Sequence, residues 1–183
     1  MPQFVVEEKI IQIPAEVQLE VNEKAITVKG PKGELNRGFD RLPVYIDYNM
    51  DEGHVAIRSF FGRQFERAIV GTVAGHIENM IIGVTKAFEY KLKIISSHFP
   101  MTVKRTGDQI EVKNHYGERA AKYAKIIGNT QMKVVGDDII LTGIDKEALG
   151  QTAANLQEIT RLRGKRRKDP TTFMDGVYLY SRS

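Results

Sequence analysis

Apolar and polar residues alternate with a period of two over 17–21 and 25–29, which predicts two half-buried strands joined at Asn22-Glu23-Lys24. Gly30-Pro31-Lys32-Gly33 interrupts the alternation and 35–39 resumes it. Residues 44–48 and 54–59 form a further predicted pair around the acidic turn Asp51-Glu52-Gly53. From Arg63 the period changes. Phe65, Ile69, Val73, Ile77 and Met80 recur every three to four positions, as in a helix with one apolar stripe, running to about Ile82. Gly71 and Gly75 lie four apart within it and predict close approach of a strand, at some cost in helix propensity.

The second half follows the same plan. Residues 92–96, 102–105 and 109–114 read as strands, and 132–135 with 139–142 as a hairpin about Gly136-Asp137-Asp138. Asp145 is an expected N-cap for a helix whose stripe is Leu149, Ala153, Leu156 and Ile159. The parallel extends to identities. At an offset of 84, residues 26–34 match 110–118 at five of nine positions, and Val55 and Ile57 fall on Ile139 and Leu141. At an offset of 80, Ala68, Thr72, Ala74 and Glu78 fall on Ala148, Thr152, Ala154 and Glu158. Helical propensity over 119–125 competes with the repeat, which assigns that segment as strand. The expected class is therefore α+β. Two tandem homologous domains, 1–85 and 86–183, each a small antiparallel sheet packed by a helix, arise from internal duplication.

Charge separates the two halves. Residues 1–85 carry 9 basic and 12 acidic side chains, a net of −3, whereas 86–183 carry 18 and 11, a net of +7. Such asymmetry points to a polyanion held by the second half. Arg161, Arg163, Lys165, Arg166, Arg167 and Lys168 place six cations in eight residues. The run is expected to begin in the last helical turn, with Gly164 capping the helix and turning the remaining cations away. Phe173, Val177, Tyr178 and Leu179 follow around an expected Asp175-Gly176 turn, and apolar anchors of this kind predict a docked segment rather than a loose tail. Arginine forks and lysine point charges suit RNA phosphates and irregular RNA shapes. The candidate RNA contacts are Arg161, Arg163, Gly164, Lys165, Arg166, Arg167 and Lys168, with Lys104 and Arg105 on a strand of the same half.

Other chemistry is weakly represented. With 0 Cys there is no disulfide, thiolate metal site or cysteine nucleophile. His54, His76, His98 and His115 have no metal-ligand spacing, and Asp137-Asp138 is explained by turn formation. Gly30-Pro31-Lys32-Gly33 reads as a hairpin turn rather than a phosphate cradle, since Pro31 removes an amide donor. No cofactor and no catalytic residue is expected. No secretory leader is expected at the start, and no apolar run reaches the length of a membrane span, Met80-Ile81-Ile82 stopping at Gly83. The expected location is cytoplasmic.

Several motifs in order resemble the large-subunit ribosomal protein L6 family. They are residues 79–88 (NMIIGVTKAF), the Val28–Gly33 turn, 142–147 (TGIDKE) and 151–154 (QTAA). The ending, 166–169 with 173–178, resembles the archaeal and eukaryotic branch. Ala87 stands where the family often has glycine. The resemblance implies a structural, non-catalytic protein of the large subunit, binding ribosomal RNA at the stalk base. Its expected neighbours are other ribosomal proteins and, close by, translation factors. A free-standing RNA-binding or regulatory module is the alternative from another class, and an enzyme with an unannounced site is a third.

Overall fold

A computed structural model describes residues 7–22, 25–49, 53–59, 64–162, 169 and 172–183. The chain divides into two compact units, Met1–Ala87 and Phe88–Ser183. In the first, β1 (Glu7–Gln12), β2 (Gln18–Asn22), β3 (Ala25–Gly30), β4 (Gly33–Gly38), β5 (Tyr45–Asn49) and β6 (His54–Ser59) precede α1 (Gln64–Lys86). They pair antiparallel in two sheets, ordered β1-β6-β5 and β2-β3-β4. In the second, β7 (Phe88–Ile95), β8 (Thr102–Thr106), β9 (Gln109–Lys113), β10 (Lys122–Lys125), β11 (Gln131–Val135) and β12 (Asp138–Gly143) precede α2 (Lys146–Thr160) and β13 (Gly176–Arg182). Their sheets run β11-β12-β7-β13 and β10-β9-β8. Strand for strand the order is that of the first unit, with β13 added on the far side of β7. The architecture is α+β with an internal duplication.

Each core is a helix laid on sheet. Ile69, Val70, Val73, Ala74, Ile77, Met80, Ile81 and Val84 of α1 pack with Ile11, Leu19, Ile26, Val28, Val55 and Ile57. Leu149, Ala153 and Leu156 of α2 pack with Leu92, Val112, Ile139 and Leu141. Each fully buried leucine or isoleucine contributes about 1.5–3 kcal/mol of transfer free energy. The Asp145 cap forms as expected, its carboxylate accepting the Glu147 amide at 2.9 Å.

The structure corrects several details. Phe65 is not on the buried stripe but 69% exposed, because the packed face of α1 starts at Ile69. Gly71 and Gly75 admit no strand, since a Cβ on either would meet nothing within 4 Å. The close approach is at Gly30 instead, where a Cβ would stand 2.7 Å from Val84 Cγ2. The Lys32 amide donates to the Val84 carbonyl at 2.9 Å, so the glycine turn seals the end of α1. That helix has 23 residues and is long and apolar enough by composition to cross a membrane, more so than the Met80-Ile81-Ile82 run suggested, but its apolar face forms the core of the unit.

The repeat also has a different register in places. Buried positions of the helices match at an offset of 79 (Ile69 on Ala148, Val73 on Thr152, Ile77 on Leu156), whereas the identities at 80 pair exposed Ala68 with buried Ala148. Val28 pairs with Leu35 but Val112 with Lys122, so the second copy has a longer connection where the first has its two-residue turn. Strand 119–125 therefore begins only at Lys122, and the Gly33 and Gly117 match is not a structural equivalence.

Candidate nucleic-acid interface

The expected contacts divide into those the structure describes and those it does not. Arg161 is exposed at the C-cap of α2, with extended backbone (φ −86°, ψ 125°) and its amide on the Glu158 carbonyl at 3.1 Å. The helix thus ends at Thr160 with no basic residue in its last turn, so the run starts after the helix rather than in it, and Gly164 is not its cap. Arg163, Gly164, Lys165, Arg166, Arg167 and Lys168 lie outside the described residues. Lys104 and Arg105 are exposed on β8, where Lys104 sits opposite Glu111 and Arg105 Nε donates to the Gly107 carbonyl at 3.0 Å.

What the structure does describe is how both ends of the basic segment are held. On the helix side, Thr160 Oγ1 donates to the Gln157 carbonyl and accepts the Val177 amide at 3.1 Å. Gln157 Oε1 accepts the Leu179 amide at 3.1 Å. Two donors of the sheet's last strand are thereby satisfied by α2 instead of being left open. Val177 is buried and Leu179 packs against the core, so the apolar ending is a strand and not a tail.

On the strand side Asp175 is the anchor. It is not a turn residue: 4% exposed, its carboxylate accepts the amides of Ser97 (2.7 Å) and His98 (3.0 Å) and faces His98 Nδ1 at 2.8 Å. Although burial pushes the carboxyl up, the His98 and Ser97 hydrogen bonds outweigh it and hold the pKa at about 2. Just before it, the Asp169 carbonyl accepts the Phe173 amide at 2.8 Å, and the Phe173 ring lies 5.5 Å from that of His98.

The longer connection of the second copy has a use here. Asn114 and Tyr116 both take positive φ (60° and 54°), a conformation disfavoured for side chains bearing Cβ. That bend carries the Tyr116 hydroxyl to the Phe173 carbonyl at 3.0 Å. His115 between them is buried, its Nδ1 2.7 Å from Lys122 Nζ. Burial first, and the Lys122 charge second, lower its pKa, so it sits neutral with Nδ1 accepting. Among the described residues His115 Nε2 makes no hydrogen bond. Asp175, Tyr116, Thr160 and Gln157 were missed as anchors in the sequence, and only the helical spacing of Gln157 and Thr160 offered any signal.

No group of three or more His, Cys, Asp or Glu side chains converges among the described residues. The anchors and the cations around them suit phosphate recognition. Comparison with known proteins decides the family. The large ribosomal subunit protein uL6 of Methanobrevibacter smithii is 44% identical over 172 residues, covering 94% of each chain. The chain belongs to the ribosomal protein L6 family. The family profile described as Ribosomal protein L6 matches residues 13–87. The uL6 proteins of Ignicoccus hospitalis (42% identical, 94% of this chain and 93% of that protein) and Archaeoglobus fulgidus (41%, 96% and 89%) agree along nearly the full length. These L6 relatives are archaeal, in keeping with the branch that residues 166–178 resemble. Membership makes this a ribosomal protein of the large-subunit kind, a structural and non-enzymatic class.

Proposed function

We propose that the protein is a structural constituent of the large subunit of the cytoplasmic ribosome, and that it binds ribosomal RNA through its second domain. In this reading 1–85 is an acidic domain of the assembly, and 86–183 carries the basic RNA-binding loop and tail. Arg161, Arg163, Lys165, Arg166, Arg167 and Lys168 neutralise phosphates, Gly164 shapes the loop, and Lys104 and Arg105 add contacts. The seat is the stalk base, among neighbouring ribosomal proteins and near the surface where translation factors dock.

The observation that carries the reading is the double anchorage of the basic segment, by Thr160 and Gln157 at one end and by Asp175 at the other. Cations held at both ends lose less entropy on binding than those of a free tail. The test is the salt dependence of binding to purified large-subunit RNA. The five phosphates neutralised by Arg163, Lys165, Arg166, Arg167 and Lys168 alone contribute about −3.5 to −4.5 to the slope of log affinity against log salt. Replacing Arg163, Lys165, Arg166, Arg167 and Lys168 by Gln removes most of that slope. A slope near zero for the wild type refutes the reading. Truncation after Lys168 is a poor substitute, because it deletes β13 and with it the buried Val177.

A further inference from the structure

Strand β13 is buried on one face and unpartnered on the other. Val177 and Leu179 point into the core, while Tyr178 and Tyr180 stand outside, 42% and 56% exposed. The pairing registers lay out that outer face in two rows. Tyr178 lies opposite Lys93, Lys93 opposite Asp138, and Asp138 opposite Val135. Beside them Ile140 lies between Lys91 and Lys133, with Tyr180 at the irregularity next to Lys91. We propose that this outer face of the sheet β11-β12-β7-β13 is a second RNA site, distinct from the basic segment. Unpaired nucleotides would stack on Tyr178 and Tyr180, and Lys91, Lys93 and Lys133 would meet their phosphates. The proposal rests on the RNA-binding reading above and adds to it.

Three observations carry it. Both rings are held in place before any ligand arrives. Tyr178 lies over Gly176, where a Cβ would come within 3.3 Å of the ring, so glycine makes room for it. The Tyr180 hydroxyl donates to Asp138 Oδ1 at 3.2 Å. A ring already fixed loses little entropy when a base stacks on it.

The duplication supplies the second observation, as an internal control. On the equivalent face of β1-β6-β5, Arg58 is taken up by Glu8 (2.7 Å) and Asp47 (3.0 Å), and acids outnumber the cation. That face also carries exposed Tyr45 opposite Arg58 and has no counterpart of β13, so what sets the second face apart is its lysines and the two tyrosines that β13 adds.

The third is charge. Three lysines face two acids, Asp138 and Glu89, the latter 3.1 Å from Lys91. So small an excess neither attracts RNA strongly nor repels it, which leaves stacking as the main contribution. That distinguishes this face from the basic segment, whose contribution is ionic and salt-dependent.

The experiment measures binding of the full chain to purified large-subunit RNA and to a short oligoadenylate. The chain has 0 Trp and 7 Tyr, so quenching of tyrosine emission by stacked bases is readable directly. The expected result is that Tyr178→Ala with Tyr180→Ala weakens binding to both RNAs about tenfold or more and abolishes most of the quenching, at an unchanged salt slope. Tyr178→Phe with Tyr180→Phe keeps the rings and retains near wild-type affinity for large-subunit RNA, whereas Tyr178→Leu with Tyr180→Leu, which removes the rings but keeps apolar bulk, weakens binding as the alanine pair does and covers the case in which that pair fails to fold. Alanine variants that fold and bind as tightly as wild type, or phenylalanine variants that fold but bind as weakly as alanine ones, overturn the proposal. Failure of the wild type to bind large-subunit RNA at all refutes the functional reading and this site with it. Intact binding with indifferent tyrosines refutes this site alone.

Discussion

Replacing Asp175 by Asn tests whether the strand-side anchor stabilises the second unit as its geometry requires. The carboxylate accepts two backbone amides and faces His98 Nδ1, and its pKa falls from 3.8 to about 2. That fall corresponds to about 2–3 kcal/mol of stability. Because the folded value lies below the unfolded one, the contribution is complete above about pH 4 and disappears as pH falls through about 2. Asn cannot ionise: turned to keep its oxygen on the Ser97 and His98 amides it sets its NH₂ group against His98 Nδ1, and turned the other way it sets that group against both amides. Urea titrations followed by far-ultraviolet circular dichroism give the wild-type and variant stabilities at a series of pH values. The expected gap is about 2–3 kcal/mol near neutrality, narrowing between about pH 4 and pH 2. Other carboxylates titrate in both proteins and cancel in the difference. A gap that is absent, or that stays constant down to low pH, refutes the anchoring argument.

Further expectations concern the first unit and its end. Gly30→Ala drives a methyl to 2.7 Å from Val84 Cγ2 and 3.0 Å from the Val84 carbonyl, and should cost about 1–3 kcal/mol in urea titration. Gly71→Ala, with nothing within 4 Å and helix on both sides, should stabilise the same unit by about 0.5–1 kcal/mol. Ala87 takes φ 60° with its amide on the Gly83 carbonyl at 3.0 Å, so Ala87→Gly relieves a left-handed alanine and should raise the thermal midpoint, a gain of up to about 1 kcal/mol after the added chain entropy.

Much of this was legible wherever one side of an element is buried and the other is wet. Strands β3, β6, β9 and β12 stand close to their expected limits because Ile26, Val28, Val55, Ile57, Ile110, Val112, Ile139 and Leu141 alternate with less buried neighbours or fill short apolar runs. Strand β1 escaped notice because it is an edge strand with a single core residue, Ile11, and its Lys9 reaches out to Glu78 at 2.9 Å. Strand β13 was disguised by its tyrosines: with rings on the wet face and Val177 and Leu179 on the dry one, it reads as uniformly apolar. The offset of 80 between helices followed identities that pair exposed with buried positions, Ala68 with Ala148 and Thr72 with Thr152, whereas burial obeys 79. The cations of the interface were plain from composition. Their anchors were not, because Asp175 bonds amides nearly eighty residues away, and no local pattern encodes a contact of that range.

Sedimentation of the tagged chain from gently lysed cells tests the central claim most directly. A protein that is part of the large subunit and held there mainly by phosphate contacts co-migrates with that subunit at low salt and leaves it as salt rises. Replacing the cations at 163–168 by Gln shifts that release to lower salt. Migration of the wild-type chain at the top of the gradient at low salt, apart from the large subunit, contradicts the account.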